Sequence, residues 1–417
     1  MNIAIIGTGI SGLVTAYLLH RDHDITVFEA NDYIGGHTRT VEVPDGERTQ
    51  AVDTGFIVFN DKTYPNFVRL MGRLGISRRP SRMSFSVKCE QTGLEYSPSS
   101  PNALFARRQN LLSLPFYRML LDIFRFRLGS KAFLLENDHR VTLGEYLSRK
   151  RYSRSFVRHF ILPMGAAVWS ADPKGFRLFP ARYFIQFFDN HGFLNVVNQP
   201  QWYVINRGSS SYIEPLTRRF RERIRLNSPV QSVRRSADYV EITSRNGKPE
   251  EFDAVVIAAH SDQALAMLTD PSDEERGILR SIPYQENEVL LHTDTSVLPD
   301  RRAAWASWNY RVPRNGGDRV HVTYNMNMLQ SLDAVKTFCV SLNQKRDIGS
   351  EYILREFVYH HPMYHPDGVA ARGRRDRING VNRTWFCGAY WGAGFHEDGV
   401  NSALAVCKDF GKTLNDA

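Results

Sequence analysis

The sequence predicts an α/β protein in which one domain is built on a parallel β-sheet and the other is a discontinuous α+β segment. The chain opens with an apolar strand (Asn2–Ile6), a glycine turn, an apolar helix (Leu13–Leu19) and a second strand (Ile25–Glu29). This order is that of a βαβ unit with parallel strands. A strand-rich block follows at Ile224–Ile257, and a strand, a glycine-rich loop and a helix follow at Thr384–Val406. We therefore expect a doubly wound sheet whose strands come from distant parts of the chain.

The order of these blocks predicts two interleaved domains. Residues 1–75, 205–270 and 375–417 carry the strands of the sheet and form the first domain. Residues 76–204 and 271–374 are rich in aromatic and basic residues, show mixed helix and strand character, and form the second domain. Because no linker rich in proline, glycine or serine separates them, we expect the two domains to share one large interface.

Shorter patterns divide two of these blocks further. Val230–Val233, Val240–Thr243 and Ala254–Ala259 are separated by polar turns, which predicts a three-strand addition to the first domain. Trp385–Cys387 predicts a strand, and the glycine-rich stretch after it predicts a loop. The last helix is then expected to begin near Val400.

Length and composition exclude several classes of protein. With 417 residues, 42% hydrophobic and 23% charged, the chain is neither disordered nor fibrous and is long enough for two cores. Its four cysteines lie far apart without a CxxC pair or a Cys/His cluster, so we expect no disulfide framework and no metal site. The first residues contain no basic leader, and no apolar run approaches about 18 residues. We therefore expect a cytoplasmic chain that is neither exported nor membrane-spanning.

The net charge and its distribution leave two interpretations open. The formal net charge is +9, and no nucleic-acid motif accompanies it, so we expect no nucleic-acid partner. Five arginines interleave with apolar residues in Arg107–Arg127. One interpretation is a buried helix with arginines on its solvent face. The other is a surface that rests on an anionic membrane, with acyl chains contacted by Phe116, Leu120, Ile123 and Phe124.

A glycine-rich motif follows the first strand and opens the first helix. It consists of Gly7, Thr8, Gly9, Ile10, Ser11 and Gly12. In such a turn the first glycine permits the sharp bend, the second lets a pyrophosphate approach the backbone, and the third lets the helix pack on the strand. Free amides at the helix start, including those of Ile10 and Ser11, then bind phosphate oxygens. The motif therefore predicts a Rossmann-type dinucleotide site.

The residue at the end of the second strand narrows the choice of nucleotide ligand. Glu29 lies 22 residues after Gly7. At this position a carboxylate accepts hydrogen bonds from both ribose hydroxyls of an adenosine and disfavours a 2′-phosphate. The order and spacing match the motif, with a strand, the glycines, a helix and a second strand that ends in an acidic residue. This match favours an adenine dinucleotide over a chance glycine turn.

The stretch that begins at Glu29 resembles a flavoprotein signature. Residues 29–40 are similar to the N-terminal motif of the superfamily that includes monoamine oxidase, polyamine oxidase, protoporphyrinogen oxidase and phytoene desaturase. In that family a double glycine, matched here by Gly35 and Gly36, brings a second loop against the pyrophosphate. The resemblance implies a glutathione-reductase-like domain that binds FAD, and a second domain that binds substrate. It implies cofactor contacts for Glu29, Ala30, Gly35, Gly36, His37 and Thr38.

The chain departs from the family's pattern at two positions of this loop. Tyr33 and His37 stand where many members have arginines, the second of which supports the diphosphate. Arg39 is a candidate to supply that charge instead. Further along, Asp53-Thr54-Gly55 resembles the family's strand beside the isoalloxazine, and Val230 falls where the family places a backbone contact to adenine.

The C-terminal block extends the resemblance. Residues 385–403 resemble the family's C-terminal flavin motif, in which a helix N-terminus points at the pyrimidine edge of the flavin. A helix dipole placed there stabilises the negative charge of the reduced ring. The resemblance implies cofactor contacts for Gly388, Glu397, Gly399 and Val400, although an acidic first turn also suits an ordinary capped helix. Cys387 lies in the strand, which favours a buried thiol over a covalent flavin link, so we expect non-covalent FAD.

A narrower resemblance concerns the substrate. Residues 163–170, 258–264, 306–310 and 394–399 look like a bacterial subfamily of NAD/FAD-binding oxidoreductases. Its members tend to occur beside methyltransferases that resemble cyclopropane-fatty-acid synthase. This association implies a role in acyl-lipid metabolism.

The expected reaction is removal of hydride from an organic substrate. A second complete glycine motif of the kind that binds NAD(P)H is missing from the sequence, so we expect a small molecule or lipid as hydride donor. Amine oxidation usually needs two tyrosines facing across the flavin, and Phe395 occupies the position of one of them. This substitution favours an acyl-chain oxidase or desaturase. An amine or polyamine oxidase, a flavin-dependent isomerase and a non-catalytic lipid-binding flavoprotein are the alternatives.

Three residues are candidates for catalysis. His396 falls in the loop expected near the flavin, where it could take a proton from substrate, although a histidine at a helix start is often only a cap. Tyr390 lies in the same glycine-rich stretch, and His260 ends the run Ala254–Ala259. The sequence leaves the electron acceptor and the oligomeric state open.

Overall fold

A computed structural model describes residues 1–136, 138, 140–172, 175–195, 199–245, 247–314 and 319–416. The β-strands are β1 (Asn2–Ile6), β2 (Asp24–Phe28), β3 (Thr40–Asp45), β4 (Arg48–Asp53), β5 (Phe59–Asn60), β6 (Arg78–Ser81), β7 (Phe85–Cys89), β8 (Leu94–Tyr96), β9 (Trp202–Ile205), β10 (Ile224–Arg225), β11 (Val230–Arg235), β12 (Val240–Ser244), β13 (Glu250–Phe252), β14 (Ala254–Ile257), β15 (Tyr284–His292), β16 (Trp308–Val312), β17 (Val322–Asn325), β18 (Cys339–Leu342), β19 (Ile353–Pro362) and β20 (Thr384–Phe386). The α-helices are α1 (Ile10–Leu19), α2 (Pro65–Arg73), α3 (Pro101–Leu104), α4 (Leu114–Phe133), α5 (Leu143–Arg149), α6 (Arg154–Phe156), α7 (Leu162–Trp169), α8 (Ala181–Asn190), α9 (Ile213–Thr217), α10 (Ser261–Met267), α11 (Asp273–Leu279), α12 (Met326–Leu329), α13 (Pro366–Arg372) and α14 (His396–Asp409).

A five-stranded parallel sheet lies at the centre of the nucleotide-binding half. Its order is β10-β2-β1-β14-β20, and each neighbouring pair is parallel. The central strands β1 and β14 are apolar and buried, as expected for a parallel sheet covered on both faces. The predicted α/β class with a Rossmann-type parallel sheet is thereby confirmed.

One strand of this sheet was assigned wrongly from the sequence. Ala254–Ile257 does not belong to the three-strand addition, because it pairs with β1 and β20 in the parallel sheet. The third strand of the separate antiparallel sheet β11-β12-β13 is Glu250–Phe252. The physical reason is burial, since all four residues of β14 are buried, whereas β13 has only one buried residue.

A seven-stranded sheet with the order β19-β15-β18-β17-β16-β7-β8 lies in the other part of the chain. Its pairs are antiparallel except that of β16 with β7. Helices α4 to α8 contribute to an aromatic core that packs beside this sheet and contains Trp169, Phe184, Phe187 and Phe188. The strands of both large sheets fall within the ranges predicted for the two domains, and the division into domains stays a prediction.

The last helix begins four residues earlier than expected, at His396 instead of Val400. The carboxylate of Asp398 accepts a hydrogen bond from the Phe395 amide (2.9 Å), which caps the helix at that point. His396 therefore lies in the first turn of α14 and not in a loop. The start of α14 packs on the start of α1, because a Cβ added at Gly399 would lie 2.7 Å from Ile10 Cγ2.

The segment Arg107–Arg127 is a short 3₁₀ turn (Arg108–Leu112) followed by α4. One face of α4 is buried and includes Phe116 and Ile123, so the prediction that these two residues contact acyl chains is wrong. Phe124 is exposed. Among the described residues, no helix combines the length and apolar composition needed to cross a membrane.

Candidate functional site

The glycine loop after β1 is shaped by its outer two glycines. Gly7 has a φ of +105°, and a Cβ added to it would lie 2.7 Å from the carbonyl oxygen of Ala258 in the segment after β14. A Cβ at Gly12 would overlap the carbonyl oxygen of Gly7. Gly9 differs, because nothing lies within 4 Å of an added Cβ. The fold therefore requires Gly7 and Gly12, whereas Gly9 leaves open space in front of the helix.

The start of α1 offers this space hydrogen-bond donors that have no acceptor among the described residues. Its N-cap is Gly9, which has no side chain with which to cap the helix, and the first helical bond runs from the Leu13 amide to the Gly9 carbonyl (3.0 Å). The amides of Ile10, Ser11 and Gly12 precede that bond and need acceptors from elsewhere. A helix N-terminus of this kind binds anions such as phosphate.

Glu29 lies directly after β2 with its carboxylate buried beside the glycine loop. One oxygen accepts hydrogen bonds from the Thr8 amide (2.9 Å) and hydroxyl, and the other from the Asn31 amide (2.9 Å) and side chain (2.8 Å). Two of these four donors, the Thr8 hydroxyl and the Asn31 side chain, are free to rotate away. The carboxylate is thus held in place and still able to accept from ribose hydroxyls.

The double-glycine loop lies against the first glycine loop. Gly35 and Gly36 both have positive φ, +130° and +58°. A Cβ at Gly36 would lie 3.1 Å from the Cα of Gly9, and the Gly35 amide donates to the Thr8 hydroxyl (3.3 Å). The structure therefore brings together the two loops and the carboxylate that the sequence predicted as one site. Ala30 is exposed next to Glu29, and Val230 begins β11 two residues after Ser228, whose amide donates to the Glu29 carbonyl (2.8 Å).

A cluster of imidazole and phenol rings lies beside the double-glycine loop. The ring of His37 is 4.9 Å from Tyr359, 5.6 Å from His361 and 6.2 Å from His260, measured between centroids. His260 is stacked on Tyr284 at 4.4 Å. Tyr284 lies in β15, and Tyr359 and His361 lie in β19, far along the chain from His37. Sequence reasoning therefore identified only His37 and His260.

Burial keeps the histidines of this cluster neutral. It lowers the pKa of His37 to about 4, with the neighbouring His260 and His360 adding to the effect. Burial also lowers the pKa of His260 to about 4 and that of His361 to about 3. The Nε2 atom of His37 is buried and has no hydrogen-bond partner among the described residues. A buried nitrogen without a partner is expected to bind a ligand or water.

Arg39, the alternative source of positive charge, is held by two rings. Its guanidinium lies 4.3 Å above the ring of Tyr33 and 4.8 Å above that of Phe357. This cation–π arrangement fixes the side chain between Tyr33 and β19. A role for Arg39 toward a diphosphate stays a prediction.

Asp53 is buried at the end of β4 and its carboxylate is fully engaged by protein donors. It accepts hydrogen bonds from the Thr40 hydroxyl (2.6 Å), the Ser209 amide (2.8 Å) and hydroxyl (2.9 Å), and the Gln330 side chain (2.9 Å). Burial raises its pKa to about 6, against the opposing effect of these bonds. Asp53 therefore ties three segments together behind the site.

The two residues after Asp53 contact the histidine cluster. The Thr54 hydroxyl lies 3.0 Å from the Tyr359 hydroxyl. A Cβ at Gly55 would overlap the carbonyl oxygen of His37, which also accepts a hydrogen bond from the Phe56 amide (2.8 Å). The chain at 53–56 is thus packed directly on the double-glycine loop.

His396 lies at the junction of α14 with both loops. Its Nε2 is 2.9 Å from the Thr38 hydroxyl and 3.3 Å from the Tyr212 hydroxyl, and its ring is stacked on Phe56 at 3.5 Å. Burial holds the pKa of His396 well below its usual range. The ring is therefore a neutral hydrogen-bonding group, and it does not cap the helix, since Asp398 does so.

The remaining predicted residues lie around the start of α14. Tyr390 is buried in the 3₁₀ turn Ala389–Trp391, and its hydroxyl has no partner among the described residues. Burial raises the pKa of Tyr390 well above its usual range, with Tyr284 contributing. Gly388 precedes this turn, and its amide donates to the Ser402 hydroxyl (3.0 Å). Val400 is buried in α14.

The side chain of Glu397 lies against the neighbouring helix α2, and a contact of this residue with the cofactor stays a prediction. Its carboxylate accepts hydrogen bonds from the amides of Asn66 (3.0 Å) and Phe67 (2.8 Å) at the start of α2. The side chain therefore caps a neighbouring helix, and what remains available to a ligand is the backbone at the start of α14.

An open cleft of about 590 Å³ reaches the start of α14 from the outside. One wall is formed by residues 62–65, which lead into α2, and another by the end of α8 and His191. Phe395 and Lys131 of α4 complete the lining. Phe187 is stacked between His191 (3.8 Å) and Phe395 (5.1 Å) at the inner end. The volume of the cleft is that of a small-molecule site. Sequence reasoning named Phe395 but missed the cleft, because its walls come from four distant segments.

Comparisons with known proteins agree with this geometry. Residues 10–322 match the family model described as flavin containing amine oxidoreductase. A flavin-containing amine oxidase from Oncorhynchus mykiss is 26% identical over 276 residues, which is 65% of this chain and 52% of the relative. The match thus spans about half the length of that relative.

Two solved structures share the fold over almost the whole chain. The CLA-producing fatty acid isomerase from P. acnes has a TM-score of 0.68 at 16% identity, with 98% of each chain covered. The cyclohexylamine oxidase from Brevibacterium oxydans IH-35A has a TM-score of 0.66 at 16% identity, with 98% of this chain and 99% of the other covered. Because one acts on a fatty acid and the other is named for an amine, the fold does not determine the substrate.

The chain belongs to the flavin-containing amine oxidoreductase family. FAD is the cofactor of this family, and the residues present fit it. The space at Gly9 admits a pyrophosphate next to the unused amides of α1, and the buried Glu29 carboxylate lies at the same loop.

Proposed function

We propose that this chain binds FAD in an extended form along the two glycine loops. Glu29 accepts from the adenosine ribose, the start of α1 and the loop Gly35–Gly36 hold the diphosphate, and the backbone at the start of α14 meets the flavin. Bound FAD supplies the capacity to accept hydride. Support comes from the contact between the two loops and from the packing of Gly399 on Ile10, which places N-terminal and C-terminal motifs side by side.

We further propose that the substrate is an acyl chain of a fatty acid or lipid, from which the holoprotein removes hydride. The main support for this proposal is the cleft that reaches the start of α14. Its inner end is formed by Phe187, His191 and Phe395, and Phe395 has no hydroxyl with which to orient an amine. Burial lowers the pKa of His191 to about 4, so this end is uncharged at neutral pH.

The acidic residues of the cleft do not form an ammonium site, because each already has a partner. Asp189 pairs with Lys131 (2.7 Å), Glu397 caps α2, and Asp398 caps α14. Burial also raises the pKa of Asp398 to about 6. An amine substrate would have to displace one of these partners, which disfavours the amine-oxidase alternative.

The resemblance to the subfamily found beside cyclopropane-fatty-acid synthase-like methyltransferases supports the same substrate class. Oxidation and isomerisation differ in whether the hydride stays on the flavin or returns to the substrate. Within the site, His396 and Tyr390 are the residues we propose to position substrate or move a proton, with His260 as a further candidate. Burial holds the pKa of His396 well below its usual range, so the ring is a weak base, and its hydrogen bond with Thr38 suits it better to positioning than to proton transfer.

Anaerobic mixing of the holoprotein with oleate, phosphatidylglycerol or putrescine tests the substrate class. We expect an acyl compound to bleach the visible absorbance of the flavin and putrescine to leave it unchanged. Lasting bleaching indicates net oxidation, and bleaching that recovers without oxygen indicates isomerisation. Rapid bleaching by putrescine alone would overturn the acyl proposal in favour of amine oxidation.

Two substitutions on one helix test whether the cleft is the route to the flavin. Asn190 lines the cleft at the end of α8, and Gln186 lies one turn earlier on the exposed surface, hydrogen-bonded to it (2.9 Å). Asn190→Trp should slow flavin reduction by the acyl substrate roughly tenfold or more, because the indole obstructs its approach. Gln186→Trp is the matched control and should leave the rate unchanged. Equal rates in both variants would mean that substrate enters elsewhere.

The retention of FAD should depend on pH through His37. In the free protein its pKa is about 4, so the ring is neutral at pH 7. A nearby diphosphate favours the protonated ring and raises this pKa, so FAD binding takes up a proton. The dissociation constant of FAD should therefore decrease from about pH 8 to about pH 5. The titratable groups around His37 are His260, His360, His361 and Tyr359.

Titration of FAD binding by flavin fluorescence checks this expectation. His37→Gln should flatten the pH dependence, and His37→Arg should bind FAD more tightly than the parent above about pH 7, because its charge is permanent. A slope that persists unchanged in His37→Gln would assign the proton to another group.

A further inference from the structure

The outer face of α4 carries an apolar stripe that no described residue covers. Five large side chains are spaced by three or four residues, which places them along one face of a helix. Their exposed fractions are 83% for Leu114, 40% for Tyr117, 59% for Leu121, 53% for Phe124 and 81% for Leu128. Leu112 and Leu135, 91% and 89% exposed, extend the stripe at its two ends. We call these seven residues the α4 stripe.

The α4 stripe is distinct from the face that α4 packs on the core. The opposite face contributes Phe116, Met119, Ile123 and Phe126, all buried in the aromatic core. With 20 residues, α4 is about 30 Å long. An exposed apolar face of this length is unusual for a surface that meets only water and indicates a binding surface.

The charges beside the stripe determine what it fits. Residues 107–135 contain six basic residues and one acidic residue, so they carry 6 − 1 = +5 of the chain's net +9. The single acid, Asp122, is buried and pairs with Arg118 (3.6 Å) and Arg125, both of which remain about half exposed. The exposed charges of the segment itself are therefore positive, and Lys131 at its end pairs with Asp189 of α8 (2.7 Å). A second copy docked by symmetry would bring like charges together, whereas an anionic lipid surface complements them.

We propose that α4 lies in the interface of an anionic lipid bilayer, with the α4 stripe among the acyl chains and the flanking basic side chains at the phosphates. Amphipathic helices with basic flanks and Leu or Phe on the apolar face bind membranes in this orientation. The residues that contact lipid are then Leu114, Leu121, Phe124 and Leu128.

Docking in this orientation brings the cleft to the membrane. Lys131 lies on the last turn of α4, lines the cleft, and pairs with Asp189 across it (2.7 Å). An acyl chain that leaves the bilayer would thus meet the mouth of the cleft next to the docked helix. This link rests on the proposed function, whereas the docking itself holds for any substrate.

Co-sedimentation of the holoprotein with vesicles tests the docking. We expect binding to vesicles of phosphatidylcholine mixed with phosphatidylglycerol at low salt, weaker binding as salt increases, and much weaker binding to phosphatidylcholine alone. The triple variant Leu114→Gln, Leu121→Gln and Leu128→Gln should reduce binding roughly tenfold or more without loss of FAD. The matched control Val335→Gln with Leu178→Gln removes exposed apolar side chains elsewhere (89% and 55% exposed) and should bind like the parent.

Three results would overturn the docking proposal. The first is that the parent protein fails to bind anionic vesicles at every salt concentration. The second is that the triple variant binds as well as the parent. The third is that the parent is a dimer that binds no vesicles, whereas the triple variant is a monomer. Flavin reduction in detergent solution is measured separately. Vesicle binding with no reduction by any acyl compound would overturn the substrate proposal and leave the docking in place.

Discussion

Replacing Gly9 with valine is expected to give a folded protein that retains no FAD. The φ of Gly9 is −63°, and nothing lies within 4 Å of an added Cβ, so the fold accommodates the side chain. The valine would instead occupy the space in which a pyrophosphate approaches the backbone. We expect purified Gly9→Val to be colourless and to give the circular dichroism of the parent. The flavin released on denaturation measures the loss.

A matched control separates loss of the cofactor from loss of the fold. Gly277, on the exposed side of α11, also has nothing within 4 Å of an added Cβ. Gly277→Val introduces the same side chain away from the site and should keep a full complement of FAD. Retention of FAD by Gly9→Val at the parental level would show that the diphosphate does not pass this loop.

Substitution of Glu29 by alanine is expected to weaken FAD binding by about 1 to 3 kcal/mol, which is roughly 5- to 150-fold. Two charge-assisted hydrogen bonds to the ribose would be lost. The Thr8 and Asn31 amides would also lose their buried acceptor, so the loop itself should become less stable. Glu29→Gln keeps the shape and one acceptor oxygen, and should bind FAD with intermediate affinity.

Calorimetric titration of the apoprotein with FAD measures these affinities. Glu250→Ala is a suitable control, because the Glu250 carboxylate forms a half-exposed ion pair with Arg225 at the surface (2.7 Å). Such exposed ion pairs contribute little to the free energy of unfolding. An unchanged dissociation constant in Glu29→Ala would place the ribose contact at another residue.

Much of the nucleotide-binding half could be predicted from the sequence because its requirements are local. Gly7 needs a positive φ, Gly12 needs the absence of a Cβ, and both conditions follow from a sharp turn between a strand and a helix. Glu29 lies directly after the neighbouring strand, so its distance from the loop is set by one βαβ unit. The structure accordingly brings these glycines and the carboxylate together, and their contacts with the cofactor stay predictions.

Two assignments failed, one because distant neighbours decide it and one because a local helix cap was overlooked. Ala254–Ile257 is an apolar run that suits an edge addition or a central parallel strand equally well until its neighbours β1 and β20 are known. The start of α14 was placed too late, because the Asp398 cap shortens the glycine loop before it. Periodicity describes single elements and does not say which elements meet.

The histidine cluster and the exposed face of α4 arise only when distant segments come together. The histidine cluster joins His37 and His260 to Tyr284, Tyr359 and His361 of the other half. The apolar residues of α4 occupy both of its faces, so periodicity could not say which face packs on the core. Packing of Phe116, Met119, Ile123 and Phe126 on the aromatic core leaves the α4 stripe exposed. Local sterics thus determine the shape of the glycine loops, whereas burial against remote partners determines which surfaces remain exposed.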